Sequence, residues 1–410
     1  MSNAANIPMA FDIAERSAAN SGGAFKVSNI GAGQSRMELS KQWMARPHDQ
    51  RFLSLSDLHA FTKARYDGSA EVRVKSRQFE VEAPEPQTKD DLHKLFVNAP
   101  GLGEGIAFSH WSFGQIAGLA GAPSAYLRTL PSPIAADALN YGLRHNREVE
   151  LVKGFANNGE LRAVTGPDYG RIPDHEVVEA LQNIAGNGTG DTRWKIPGTM
   201  DWRTMVYDPD TEVTKDTTTL FASDRDLFAF LVDDKNPIQV GYARNGEPDL
   251  MFRGFYVQNS EVGSASMKVA AFYLRALCCN RIMWGVEGFE ELTIRHTKMA
   301  PDRFLETARP ALQSFAEGSS TKLIEGVEKA KAAKVAADKE EALDWLASRK
   351  VPRKRALDIL DAVEREEGQP ARTVWDMAQG MTAVARNIPH TDERVALENE
   401  ARKILDKVAA

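Results

Sequence analysis

Cysteine is almost absent from this chain: of 410 residues only Cys278 and Cys279 carry a thiol, and they are neighbours. Adjacent cysteines do not close an unstrained bridge, so no disulfide framework is expected. Two thiols without suitably placed histidines also make no structural zinc site. Both points favour a reducing compartment. Long apolar runs are missing as well. No stretch approaches the roughly 18–20 residues that cross a bilayer, and the first residues carry Asp12, Glu15 and Arg16 where a signal peptide would be apolar. A cytoplasmic protein with no membrane partner is expected. There is no Walker loop, no Gly-x-Ser-x-Gly elbow and no histidine pair at zinc-helix spacing. Positive charge is not in excess either: the net charge is −6, which argues against a nucleic-acid coat but leaves room for a local basic groove.

What is present is a globular balance, 42% hydrophobic and 26% charged residues, in a chain long enough for two or three domains. The pattern reads as α+β, an antiparallel or mixed β-sheet packed by helices. A flexible N-terminal arm (1–45) precedes an α+β core (46–300) and an all-helical C-terminal region (301–410). Ser54 or Ser56 caps a helix over 54–66, and 71–75 alternates as a strand. Residues 113–144 read as a helical hairpin turning at Gly121-Ala122-Pro123, a spacing also seen in helix-turn-helix units. Asn157-Asn158-Gly159 predicts a β-hairpin, and a helix follows over 175–184. Three strand candidates come next, at 202–207, 217–232 (one twisted strand, or two joined by a bulge near Ser223-Asp224) and 250–258. Met267, Ala270, Ala271, Leu274, Leu277 and Cys278 recur at helical spacing, predicting a long apolar helix over 266–282.

Two groups of residues carry candidate chemistry. Asn259, Ser260, Glu261 and Gly263 would lie at a strand-to-helix junction, where a helix N-terminus attracts anions; as polar caps of a turn they serve equally well. Arg162, Arg171, Arg253, Lys268 and Arg275, with Tyr256 as a stacking face, suit single-stranded nucleic acid, whose phosphates need cations and whose bases stack on aromatics. Arg353, Lys354 and Arg355, with Arg349 and Lys350, form the densest cationic run. Solvated faces balanced by acids explain such residues too. Asp224, Asp226, Asp233 and Asp234 make a weak case for Mg²⁺, and turn chemistry accounts for them as well, so no cofactor or metal is assigned. Cys278 or Cys279 as a nucleophile would need His296 in reach, and nothing in the sequence brings them together, so no catalytic residue is named.

Several stretches together resemble a known family. They are Asn259-Ser260-Glu261-Val262-Gly263 with Leu274-Arg275-Ala276-Leu277-Cys278-Cys279-Asn280, the block from Leu161 to Asp174, the segment from Gln115 to Leu130, and Thr373-Val374-Trp375-Asp376. These resemble the phage- and plasmid-borne family described as domain of unknown function 932. The tail departs at Gln379 and Gly380, where the family pattern suggests Asn and Ala. The resemblance implies a mobile-element protein in a bacterial host cell and transfers no activity and no catalytic residue. The expected function is non-catalytic binding of single-stranded DNA in replication, recombination or annealing, with a homo-oligomer formed through the helical tail. An enzyme acting on a nucleotide or phosphorylated small molecule at Asn259-Ser260-Glu261, and a host-directed interaction protein, are the alternatives.

Overall fold

The computed structural model describes residues 47–409, apart from 86–93, 147–150, 198, 201–206, 209–211, 243–245, 247, 276–280, 283–291, 319 and 386–390. The expected N-terminal arm, most of the strand at 202–207, and Cys278 and Cys279 lie outside the described residues. In chain order, β1 (Arg51–Phe52) leads into α1 (Leu55–Asp67), whose Ser54 cap accepts a hydrogen bond from the Asp57 amide. Then come β2 (Ser69–Lys75), β3 (Glu80–Glu82), β4 (Phe96–Ala99) and β5 (Gly103–Phe108). The helical stretch is α2 (His110–Leu119), α3 (Ser124–Leu127) and α4 (Ser132–His145). The hairpin β6 (Leu151–Asn157) and β7 (Glu160–Thr165) turns on Asn158, whose φ is +46°, and α5 (Asp174–Ala185) follows.

These strands close a six-stranded mixed sheet in the order β2-β6-β7-β5-β4-β3, in which only β5 and β7 run parallel. Helices α2 to α4 cover it, and Phe108, Phe113, Ile116, Leu139 and Leu161 fill a core between them. The second, larger sheet takes most of the remaining chain. Its members are β1, β8 (Trp194–Lys195), β11 (Leu220–Ala222), β12 (Leu227–Tyr242), β13 (Pro248–Asn259), β14 (Met267–Arg275), β15 (Arg281–Ile282) and β16 (Leu292–Ile294). The short β9 (Thr199–Met200) and β10 (Tyr207–Asp208) pair separately. The break foreseen near Ser223-Asp224 is a tight turn between the antiparallel β11 and β12.

The expected helix over 266–282 is not formed. Residues Met267–Arg275 are a central strand, paired with β13 from Gln258↔Lys268 to Met251↔Arg275. Met267, Val269, Ala271 and Tyr273 point into one core while Ala270 between them is also fully buried. A strand buried on both faces reads as a continuous apolar run, in which residues at i, i+3 and i+4 are found by chance, so helical spacing did not discriminate.

From Ala300 onward the chain is helical: α6 (Ala300–Arg303), a π-helical turn (Phe304–Ala308), α7 (Arg309–Glu317), α8 (Thr321–Ala332), α9 (Lys339–Ala347), α10 (Arg353–Glu367), α11 (Val374–Ala385) and α12 (Thr391–Ala409). Leu312, Leu323, Leu346, Ile359 and Met381 share one core with Leu231, Phe255 and Val269 of the large sheet. A polar tie between α8 and the large sheet borders this core. Lys331 of α8 donates to the carboxylate of Asp249, fully buried on β13, at 2.7 Å and to the Val240 carbonyl at 3.0 Å.

The departure at Gly380 has a steric cause. A Cβ there would stand 2.6 Å from the Ile359 carbonyl oxygen and 2.6 Å from a methyl of Val363, because α11 crosses α10 at that point. Gly380→Ala is therefore expected to destabilise the fold by about 1–3 kcal/mol, the usual penalty of forced overpacking, despite alanine's better helix propensity. Urea denaturation of the two proteins measures it.

Candidate functional site

The loop from β13 to β14 holds Asn259, Ser260, Glu261 and Gly263. Since β14 is a strand, no helix N-terminus stands at this junction, and the dipole argument for an anion falls away. The loop instead plugs into the flank of the six-stranded sheet. Its backbone carbonyls have no ladder partners and must be satisfied otherwise. Side chains from the other sheet and its helices take three in succession. Tyr169 O–H donates to the Ser260 carbonyl at 2.8 Å, Arg171 donates to that of Glu261, and Trp111 and Gln115 donate to that of Val262 at 2.8 and 3.1 Å. Ser260 shapes the loop from within, donating to the Arg225 carbonyl at 2.7 Å and accepting from the Ser264 amide. Gly263 turns the chain with φ +84°, a conformation L-residues rarely adopt.

Glu261 is the centre of this joint. Its Oε2 accepts from Arg162 Nη1 at 2.9 Å with Arg65 at 3.8 Å, and its Oε1 accepts from the Asp174 amide at 3.0 Å. Burial works against the charge, but the two guanidiniums hold Glu261 below the usual carboxylate range. Asp174 beside it accepts from Arg65 at 2.9 Å and from Asn259 Nδ2 at 2.8 Å, yet burial and the neighbouring Glu261 charge push it up to about 7. Burial and Asp224 likewise push Glu160 up to about 7.

Three histidines rim the joint as neutral rings. Arg225 donates to His110 Nδ1 at 2.9 Å; burial with the Arg128 and Arg225 charges takes that imidazole down to about 3. His296 donates from Nδ1 to the Gly170 carbonyl and stacks on Tyr169 at 5.0 Å, and burial lowers its pKa. His175 packs on Tyr66 at 4.3 Å and is lowered by burial too.

The cations expected to share one groove do not converge. Arg162 is buried against Glu261. Arg171 pairs with Glu71 at 2.9 Å and lies 3.7 Å above the Phe155 ring. Arg253 is buried six strand positions before the loop, roughly 20 Å away at strand rise, and donates to Ser320. Tyr256 is buried and stacks on Phe228 at 5.7 Å, so its face is not offered to a base. Lys268 is half-buried between Gln258 and Thr293 of the adjacent strands. Arg275 pairs with Met251 on the backbone, and its side chain lies outside the described residues. Arg162 and Arg171 have carboxylate partners in place of a groove because they sit where two sheets exclude water, and a buried charge demands a counter-charge. Among the described residues no three metal-ligating side chains gather. Asp226 accepts from Ser223 and Asp233 from Asn236.

Arg353, Lys354 and Arg355 fare differently. They open α10 just after the turn from α9, with Arg353 and Lys354 exposed and Arg355 half-buried. Beside them Arg349 lies over the Trp345 ring, 3.4 Å from its centroid. Sequence reasoning did not single out Trp345, Arg65, Trp111 or Glu71; lone residues without a motif gave no signal.

Comparison with protein-family models matches residues 162–389, more than half of the chain, to Domain of unknown function (DUF932). The chain belongs to the DUF932 family. Neither a curated protein nor a solved structure matches it. The matched span runs from Arg162 past Glu261 to beyond α11, so the DUF932 region contains Arg162, Tyr169, Arg171, Asp174 and the 259–263 loop, and the joint takes Arg65, Glu71, Trp111 and Gln115 from outside it.

Removing one side of a buried pair leaves the other charge stranded. Glu261→Ala is expected to cost about 3–5 kcal/mol in urea denaturation, whereas an exposed change such as Lys354→Ala stays within about 0.5 kcal/mol. The pH response follows from Glu160, whose folded pKa is raised. The stability tied to its protonated form is complete below its ordinary value and is lost as pH rises through about 7. Melting curves from pH 5 to 8 should fall less steeply for Glu160→Gln than for the unaltered chain; identical slopes would remove this acid from the account.

Proposed function

We propose that this chain binds single-stranded nucleic acid without transforming it, at the turn between α9 and α10. The exposure of three of the cations there carries the reading. Five of the seven residues from Arg349 to Arg355 are Lys or Arg. Lys350, Arg353 and Lys354 are exposed. Among the described residues only Glu340, itself exposed and 3.8 Å from Arg353, offers these three a carboxylate, and the first turn of α10 has no acid. Such an exposed pair is worth little. A polyanion laid on these groups sheds its condensed counterions, the term that dominates sequence-independent binding.

Two further features support the reading. Lys350 has φ +63° where it ends α9, a conformation glycine takes freely and other residues at roughly 1–2 kcal/mol; a lysine there adds a cation to the turn at the expense of strain. The net charge of −6 gives no general attraction for phosphate, so binding would rest on a local cluster such as this turn. The buried arginines Arg162, Arg171 and Arg253 have no part in it. The mobile-element setting implied by the family resemblance fits replication, recombination or annealing of single strands.

Fluorescence anisotropy with a labelled oligothymidylate over a salt series tests this. Three neutralised phosphates give a log–log slope of about −2. Arg353→Glu combined with Lys354→Glu is expected to weaken binding more than tenfold at low salt and to flatten the slope. No binding at low salt, or a double variant that binds like the unaltered chain, ends the reading.

A further inference from the structure

The geometry points to the open edge of β2 as a docking strand for an extended acidic segment of a partner protein, which lengthens the smaller sheet by one strand. This surface is separate from the α9–α10 turn and does not depend on the binding reading above.

β2 ends the order β2-β6-β7-β5-β4-β3, so one of its edges pairs with β6 and the other with no described strand. The two ends of β2 show which backbone groups face that second edge. Asn157 closes the hairpin with Glu160 and turns its amide and carbonyl to β7, so Ser69, opposite Asn157, turns outward. At the other end the Lys75 amide is taken by Gln78 Oε1 at 2.8 Å instead of by β6. Strand alternation then sends the amides and carbonyls of Glu71 and Arg73 outward as well. None of these groups has a hydrogen-bond partner among the described residues, and Ala70, Glu71, Arg73 and Lys75 are exposed. The opposite edge of the sheet is closed. There the side-chain amide of Asn140 accepts from the Val81 N–H of β3 and donates to the Val81 carbonyl, both at 2.8 Å. A carboxamide thus fills the place that a neighbouring strand would take, and among the described residues β2 has no such cover.

The side chains beside the open edge set the chemistry of what docks there. Glu71, Arg73 and Lys75 share one face of the sheet, while Val72 and Val74 turn to the core under α2 to α4. Glu71 is already engaged by Arg171 at 2.9 Å and Lys153 at 3.4 Å. Among the described residues no carboxylate pairs with Arg73 or Lys75. An added strand alternates in the same way. Carboxylates at every second position then meet Arg73 and Lys75, and apolar residues between them extend the Val72 face. A second copy of β2 fits less well. Antiparallel pairing sets Arg73 against a Glu71 that already has two cations, and it crowds Arg73, Lys75 and Lys153 of both copies together. Single-stranded nucleic acid offers the Glu71 and Arg73 carbonyls no row of N–H donors at strand spacing.

A capped heptapeptide of alternating Val and Glu is the probe. Its Val–Lys counterpart and a version N-methylated along the bonding edge are the controls. Added to the full chain, the Val–Glu peptide should slow hydrogen exchange of the Glu71 and Arg73 amides, and N-methylation should abolish that protection. Exchanging two attractive cross-strand pairs for two repulsive ones should weaken binding of the Val–Lys peptide by about fivefold or more. Arg73→Glu combined with Lys75→Glu should reverse the preference between the two peptides; if that variant does not fold, the N-methylated peptide decides. No protection by the Val–Glu peptide, or equal protection by both peptides, overturns the proposal. Slow exchange of these amides in the peptide-free chain, with a dimer in light scattering, overturns it too and gives the edge to a second copy. Equal protection by oligothymidylate overturns it in favour of nucleic acid. The readout is confined to β2, so its failure leaves the reading of the α9–α10 turn standing.

Discussion

Burying the carboxylate of Glu261 is the constraint around which the two sheets are arranged. A charge taken out of water must find its counter-charges inside the fold, and here they come from four separate elements. Arg162 belongs to the small sheet, Arg65 to the end of α1, the Asp174 amide to the start of α5, and Arg171 seizes the backbone of the same residue. None of these groups is placed until its own element is formed. The joint therefore selects one relative position of the sheets. Such a network is weak evidence for added stability, since an apolar joint of similar shape could hold as well; what it confers is discrimination against other dockings, for a shift of one position would leave several charges unpaired.

The same logic separates the two kinds of cation in this chain. Arg162 and Arg171 stand singly among apolar and aromatic residues in sequence, and in the structure they lie over Phe155 at 5.0 and 3.7 Å and against carboxylates. The residues from Arg349 to Arg355 stand in a run, at a helix start, with few acids in range. Of the clustered cations Lys350, Arg353 and Lys354 are left in solvent while Arg349 and Arg355 are half-buried. Both kinds include arginines, and only their surroundings tell them apart.

Much of the architecture was legible in the amino-acid sequence. Ser54 as a cap, Asn157-Asn158-Gly159 as a hairpin, the turn at Gly121-Ala122-Pro123 and the helical tail all rest on local chemistry, and local chemistry decides them. The strand at Met267–Arg275 was misread because its identity depends on burial of both faces, a tertiary fact. The polar loop before it was noticed for the right residues and given the wrong neighbour. Asn259, Ser260 and Glu261 are indeed set apart from the strands around them, yet their partners lie about 85 to 150 positions away along the chain, and no local pattern reports such pairings. Gly380, which looked like a departure from the family, is explained by the close crossing of two helices; nothing in the structure explains Gln379.

The tie between Lys331 and Asp249 bears on how the C-terminal helices should be regarded. Asp249 is a carboxylate at the beginning of a central strand with no water around it, and its ammonium partner is supplied by a helix more than eighty residues further on. A chain that has completed the large sheet still lacks the ammonium that α8 brings to this carboxylate. The helical segment closes the sheet's own fold, and a chain shortened near residue 300 would leave the apolar face that carries Leu231, Phe255 and Val269 without the side chains that cover it.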